Sequence, residues 1–156
     1  MTGADARAVV AALTGRGETV AAAESLTAGL LCATLAEVPG ASAVLRGGLV
    51  VYATELKATL AGVDPGLLAR HGAVHPEVAA QLAAGASRVC RAEWGLGLTG
   101  VAGPDPQDGI EPGTVYLGLH GPDLRTTRAL RLSGDRASIR VASAAAALDL
   151  LREHLR

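Results

Sequence analysis

One serine in this 156-residue chain lies where a nucleophile could be built. The segment 24–29 (Glu-Ser-Leu-Thr-Ala-Gly) separates an apolar, strand-like run (19–23) from an apolar, helix-like run (30–36). This order predicts that Ser25 lies at a helix N-terminus, where backbone N–H groups and the helix dipole favour negative charge. Ser25 is therefore a candidate helix cap, anion ligand or nucleophile, and Gly29 would let a ligand approach the backbone closely.

A second candidate is Lys57, the only lysine among the 14 Lys and Arg residues. Lysine can give up its proton near neutral pH, whereas arginine cannot. To act as a base, Lys57 needs a pKa lowered from about 10.4 to roughly 7–8, which burial among apolar neighbours could supply. The alternative is an exposed helix lysine paired with a carboxylate. Tyr52, at the end of a predicted buried strand (44–52), could hydrogen-bond a Ser–Lys pair.

A third candidate is the glycine- and proline-rich loop 99–113, which begins Thr-Gly-Val-Ala-Gly-Pro-Asp directly after a predicted strand (94–98). Its backbone N–H groups could hold a phosphate or carboxylate, although the pattern is neither a Walker loop nor a GxGxxG fingerprint. A loop of this length in a compact domain is typically functional or disordered, and its glycines and prolines favour function. His75 precedes Pro76 at a predicted helix start, so we expect a structural role for this histidine.

Alternating helices and strands must position these segments. Hydrophobic periodicity predicts strands over 19–23, 44–52, 94–98, 114–120 and 126–132, and helices over 5–14, 27–37, 55–60, 66–70, 76–91 and 136–154. The last two strands follow each other directly and predict a hairpin across 121–123. The pattern favours a layered α/β sandwich, in one domain covering 1–156, with an antiparallel strand pair at this hairpin.

Composition limits the core and the partners. The chain is 49% hydrophobic and 19% charged with no Phe, so the core must consist of Ala, Leu and Val in tight Ala/Gly contacts. The glycine pair at 47–48 predicts a bulge or a close backbone approach. A net charge of −1, scattered cations and few aromatic residues argue against nucleic-acid binding.

The cysteines and the hydropathy pattern indicate in which cellular compartment the protein is expected. Cys32 and Cys90 are far apart in sequence and lack CxxC spacing, so we expect buried free thiols. No signal-peptide pattern or membrane-length apolar run is present in this sequence. We therefore expect a cytoplasmic protein without a membrane partner.

Taken in order, these segments resemble the C-terminal domain of the CinA (competence/damage-inducible) family, which also occurs as a stand-alone nicotinamide-nucleotide amidohydrolase. The resemblance covers about residues 10–151. It depends on an ordered set of short motifs: Ala23-Glu24-Ser25 with Thr27 and Gly29, Gly48 with Tyr52 and Lys57, Gly62-Val63, Gly72-Ala73-Val74, Thr99 to Pro104, and Pro112 to Val115.

The resemblance implies a three-layer α/β/α sandwich with a mixed, mostly parallel sheet. It also implies deamidation of nicotinamide mononucleotide to nicotinic acid mononucleotide and ammonia, without a metal or cofactor, by a self-associating protein. Ser25 would be the nucleophile, Lys57 its base and Tyr52 a supporting hydrogen-bond partner. The implied substrate-binding residues are Glu24, Thr27, Ala28, Gly29, Thr99, Gly100, Ala102, Gly103 and Thr114.

Several positions depart from the family pattern. This chain has Ala28 where relatives usually have Gly, Ala53-Thr54 in place of Ser-Asn, His75 in place of Ser, and Glu111 near a commonly basic position. These departures motivate two alternatives, a non-catalytic nucleotide-binding module and an amidase for another small amide.

Overall fold

A computed structural model describes residues 3–156, and within that range a five-stranded sheet lies between two layers of helices. The elements in chain order are α1 Gly3–Arg16, β1 Val20–Glu24, α2 Leu30–Ala36, a 3₁₀ turn Ala41–Ala43, β2 Leu45–Val50, α3 Thr54–Thr59, α4 Pro65–His71, α5 Pro76–Cys90, β3 Trp94–Gly100, β4 Thr114–Gly121, β5 Leu124–Arg131 and α6 Arg136–His154.

The sheet is mixed, with strand order β2-β1-β3-β4-β5. β1 pairs in parallel with both β2 and β3, whereas β3–β4 and β4–β5 are antiparallel. Four of these five strands therefore run in one direction, with β4 reversed. The Gly121–Leu124 pair closes the β4–β5 hairpin, which confirms the predicted turn.

Alternate residues of β1 divide the core between the two faces of the sheet. Ala22 packs in a cluster with Leu13 of α1, Leu31 of α2 and Leu148 of α6. Ala21 and Ala23 pack instead in a second cluster with residues of α4 and α5 (Leu67, Val78 and Leu82). The layered α/β sandwich predicted from the sequence pattern and the three-layer α/β/α arrangement implied by the family resemblance are both confirmed.

Glycines in the central strands allow α5 to lie directly on the sheet. A Cβ added to Gly95 would lie 2.0 Å from the carbonyl oxygen of Ala83. A Cβ added to Gly97 or Gly118 would lie 2.2 or 2.1 Å from the carbonyl oxygen of Ala79. Real Cβ atoms do not approach an oxygen so closely, so the predicted tight Ala/Gly packing is confirmed.

The strand β2 differs from the buried strand that was predicted over 44–52. It lies at the edge of the sheet, and its residues alternate between half-buried and exposed. The β1–β2 register shifts between Val20 and Ala21, and a Cβ on Gly48 would lie 2.5 Å from Cys32 Sγ. Both the predicted irregularity and the predicted close approach are present.

Cys32 and Cys90 are free thiols, as predicted, but they are half-buried rather than buried. Burial and the neighbouring Glu24 carboxylate raise the pKa of the Cys32 thiol, which keeps it protonated. Among residues 3–156, no helix has the length and apolar character needed to cross a membrane.

Candidate active site

The carboxyl ends of the three adjacent parallel strands β2, β1 and β3 meet around one cavity of about 380 Å³. Ligands of open α/β sheets bind at this edge, where the chain crosses from one side of the first strand to the other. Seven of the predicted site residues line the cavity: Ser25, Tyr52, Lys57, Thr99, Gly100, Ala102 and Gly103.

Ser25 lies immediately after β1, and its backbone N–H donates to the Leu98 carbonyl of β3 at 3.0 Å. The prediction that a helix begins by Thr27 is wrong, since α2 begins at Leu30. Ala28 and Gly29 have φ values of 48° and 96°, in the left-handed region that a helix cannot contain. Ser25 therefore lies on a tight turn before the helix and not in its first turn.

Glu24 occupies the helix N-terminus, where the sequence predicted that negative charge would be stabilised. It is 1% exposed, and its Oε1 and Oε2 accept hydrogen bonds from the N–H groups of Leu31 and Cys32 at 2.9 and 3.1 Å. A carboxylate of the chain itself thus caps α2. Two predictions are corrected: Glu24 does not line the cavity, and these helix N–H groups already have an acceptor.

Lys57 is buried in the short helix α3 and is 1% exposed. Its Nζ donates to the carbonyl oxygens of Val51 at 2.8 Å and Tyr52 at 3.2 Å. Burial lowers the pKa of Lys57 from 10.5 to about 8, although nearby Glu55 opposes this shift. A neutral amine has two N–H groups, so both can serve these carbonyls while the lone pair stays free.

The sequence alternative of an exposed, carboxylate-paired lysine is therefore wrong. Ser25 and Lys57 line the same cavity, which the sequence could only suggest. Within residues 3–156, the hydrogen bonds of Lys57 Nζ go to the two carbonyls and not to Ser25 Oγ. Such catalytic contacts commonly form or tighten when substrate binds.

Tyr52 contributes differently from its predicted role. The residue is 55% exposed, and its hydroxyl accepts a hydrogen bond from Arg136 Nη2 at 2.9 Å. Its backbone carbonyl, not its hydroxyl, contacts Lys57. The predicted hydroxyl contact with the Ser–Lys pair is absent among the described residues, since β2 ends before Tyr52 and the ring lies at the cavity mouth.

The glycine-rich loop forms part of the cavity wall and is held in place at both ends. Thr99 Oγ1 donates to the Ala73 carbonyl at 2.7 Å, and the N–H of Val101 donates to the Thr114 carbonyl at 2.9 Å. Arg136 Nη1 donates to the Gly103 carbonyl at 2.6 Å. The loop is thus an ordered part of the cavity.

Five of the predicted substrate-binding residues lie outside the set that lines this cavity: Glu24, Thr27, Ala28, Gly29 and Thr114. Thr27 is 0% exposed. Thr114 accepts a hydrogen bond from Arg131, and both line a separate cavity that also contains Glu111. The acidic departure at Glu111 therefore does not face the Ser25 cavity.

Sequence reasoning did not identify Arg136, Ala73 and Val74 as lining residues. A usable signal existed for Arg136, because a cation in the first turn of a helix opposes the helix dipole and needs another reason to be there. The prediction for His75 is confirmed: its Nδ1 accepts from the N–H of Glu77 and caps α5.

Comparisons with known proteins agree with this architecture. The CinA C-terminal domain family matches residues 4–155. A CinA-like protein of Frankia casuarinae is 52% identical over 147 residues, which is 94% of this chain and 34% of that protein. A CinA-like protein of Myxococcus xanthus is 43% identical over 155 residues, with 96% and 36% covered. The chain thus spans about a third of the length of these relatives.

Two solved structures extend the comparison over whole chains. The competence/damage inducible protein CihA of Agrobacterium tumefaciens superposes with a TM-score of 0.93 at 33% identity, covering 98% of this chain and 94% of that one. A CinA superfamily protein of Klebsiella pneumoniae superposes with a TM-score of 0.95 at 28% identity, covering 99% and 98%. The chain belongs to the CinA family, of which it comprises the C-terminal domain.

Proposed function

We propose that this domain is an amidohydrolase that converts nicotinamide mononucleotide and water to nicotinic acid mononucleotide and ammonia. The observation that carries the proposal is the shared cavity of Ser25 and Lys57, a serine on a strand-end turn facing the same space as a buried amine. A lysine with a pKa near 8 is partly neutral at physiological pH, which is the form a general base needs.

In the acylation step, neutral Lys57 takes the proton of Ser25 Oγ as that oxygen attacks the carboxamide carbon. The tetrahedral intermediate collapses when the protonated Lys57 returns the proton to the leaving nitrogen, and ammonia departs. Water then attacks the Ser25 ester with Lys57 again acting as base. Nicotinic acid mononucleotide leaves, and both side chains return to their starting protonation states.

Arg136 is the residue we assign to the substrate phosphate. It is exposed at the cavity mouth, and two of its five N–H donors already bind Tyr52 and Gly103. Among residues 3–156 the remaining donors have no hydrogen-bond partner and can bind a phosphate, and the two existing contacts hold the guanidinium in place. Asp105 lines the same cavity and sets a cost for binding any anion there.

Ammonia release from nicotinamide mononucleotide by the purified domain tests the reaction directly. We expect turnover by the wild type and a fall in kcat of about 10³-fold or more in both Ser25→Ala and Lys57→Arg. The first variant lacks the nucleophile, and the second keeps the positive charge but cannot accept a proton. Equal rates in wild type and Ser25→Ala would refute the nucleophile. Tight calorimetric binding without any product would favour the non-catalytic module.

A pair of substrates separates phosphate recognition from chemistry. Arg136→Ala should raise KM for nicotinamide mononucleotide by about 10–100-fold, consistent with loss of a charge-assisted hydrogen bond. The same variant should leave kcat/KM for nicotinamide riboside, which lacks the phosphate, within about threefold of wild type. Arg152→Ala, at the far end of α6, is the matched control. An equal loss on both substrates would contradict the assignment.

A further inference from the structure

Arg140, one turn beyond Arg136 on α6, contacts the turn that carries Ser25. Its Nε donates to the Leu26 carbonyl at 2.8 Å, and its Nη2 donates to the Thr27 carbonyl at 3.0 Å. The side chain is half-buried. A cation thus holds the two peptide carbonyls next to the proposed nucleophile from outside the cavity.

Each carbonyl that Arg140 binds shares a rigid peptide group with the N–H of the next residue, so these contacts also fix the directions of those N–H groups. In a planar trans peptide, the N–H of the following residue points away from the carbonyl oxygen. The Thr27 carbonyl, held by Arg140, belongs to the same peptide group as the Ala28 N–H, which donates to the Ser25 carbonyl at 3.0 Å. The Ser25 carbonyl belongs in turn to the same peptide group as the Leu26 N–H.

A continuous chain therefore runs from the Arg140 guanidinium through two peptide groups to the Leu26 N–H. Hydrogen bonds in such chains polarise one another, so a cation at one end strengthens the donor at the other. Among the backbone hydrogen bonds of residues 3–156, none has Leu26 N or Thr27 N as its donor. Leu26 lines the cavity beside Ser25.

We propose that Arg140 is a positioning residue that orients and polarises the Leu26 N–H as the oxyanion donor for acyl transfer to Ser25. The proposal rests on the proposed amidohydrolase function. The Leu26 N–H takes this role because the N–H groups at the start of α2 already donate to the Glu24 carboxylate. Arg140 also fixes the Thr27 N–H, because that N–H shares a peptide group with the Leu26 carbonyl and points away from Arg140.

Arg140→Met tests the proposal, since methionine keeps much of the volume without the charge or donors. We expect kcat for nicotinamide mononucleotide to fall by up to about 10²-fold, the lower end of the effect of removing an oxyanion donor outright, with KM within about threefold of wild type. Arg140→Lys keeps the charge as a single ammonium that cannot reproduce the two-carbonyl fork, so we expect an intermediate loss of about tenfold. Arg152→Met is the control on the same helix.

A second measurement distinguishes oxyanion stabilisation from a purely structural role. Pyridine-3-carboxaldehyde can form a tetrahedral adduct with Ser25 Oγ, and its affinity should fall in Arg140→Met by about the same factor as kcat/KM. Binding of nicotinamide mononucleotide to the Ser25→Ala/Arg140→Met double variant should match binding to Ser25→Ala. If Arg140→Met does not fold, Arg140→Lys carries the same comparison.

The outcomes separate the two proposals. A wild-type protein that releases no ammonia overturns the amidohydrolase function and the Arg140 proposal with it. An active wild type with unchanged kcat and aldehyde affinity in the Arg140 variants overturns the Arg140 proposal alone. A lower melting temperature with unchanged kcat per folded molecule also overturns it, because that result assigns Arg140 to fold stability only.

Discussion

Replacing Lys57 with methionine should change how the stability of this domain depends on pH. Lys57 is 1% exposed, and burial holds its pKa at about 8 in the folded protein. In the unfolded chain the same amine has a pKa of about 10.5. Between these values the unfolded state binds more protons than the folded state, so stability rises with pH across this window.

The size of the effect follows from the two pKa values. At 1.36 kcal/mol for each step of one in pKa, the difference between these two values corresponds to about 3 kcal/mol. This cost is almost fully present near pH 7 and falls below about 1 kcal/mol near pH 10. Methionine removes the titration, and the two carbonyls it leaves without a donor add a penalty that does not vary with pH.

Urea unfolding of wild type and Lys57→Met near pH 7 and near pH 10 measures the effect. The wild type should gain about 2–3 kcal/mol relative to the variant over this range. The other ionisable groups are common to both proteins, so their contributions cancel in the difference. Parallel pH dependences would refute the argument that burial depresses the pKa of Lys57. The same pKa should appear in catalysis, with kcat rising through about pH 8 in the wild type.

Three further substitutions test the packing around the site. Ala28→Gly should stabilise the domain by about 0.5–1 kcal/mol in thermal unfolding, because alanine at φ 48° is strained; a loss of stability would contradict this. Thr27→Val removes a buried hydroxyl that has no partner among the described residues, so stability should rise by about 1 kcal/mol. KM should stay unchanged in this variant, and a tenfold rise would restore Thr27 as a substrate ligand. Gly97→Ala should cost about 3 kcal/mol or prevent folding, because its Cβ meets the Ala79 carbonyl at 2.2 Å, whereas Gly15→Ala in open space should be tolerated.

Local sequence patterns were sufficient for most of the secondary structure. Pro76 and the Ala-rich run after it define α5, and the prediction for α6 matches its bounds, Arg136–His154. The predicted start of α2 was wrong because apolar periodicity continues through Ala28. An alanine side chain gives no sign that its backbone has a positive φ. The prediction that β2 is buried was wrong because an apolar run does not reveal whether a strand lies at a sheet edge.

The site was predictable where its residues lie at the ends of parallel strands. Ser25, Lys57 and Thr99 follow or end three such strands, so the topology alone brings them to one cavity. The roles of Glu24 and Tyr52 were not predictable, because each depends on which hydrogen-bond partner lies nearby in space. Glu24 caps a helix six residues further along, and the Tyr52 hydroxyl meets an arginine 84 residues away.

Helix α6 contributes Arg136 and Arg140, two residues of the proposed site that the sequence did not identify. Its N-terminal turns bring Arg136 to the cavity mouth and Arg140 behind the Ser25 turn, 113 and 114 residues from the carbonyls of Thr27 and Leu26. Local sequence shows only that the first of these cations opposes the helix dipole. Because two arginines one turn apart face the same side of a helix, α6 can set substrate binding and nucleophile geometry together. We therefore expect a kinetic split, with KM raised in Arg136 variants and kcat lowered in Arg140 variants.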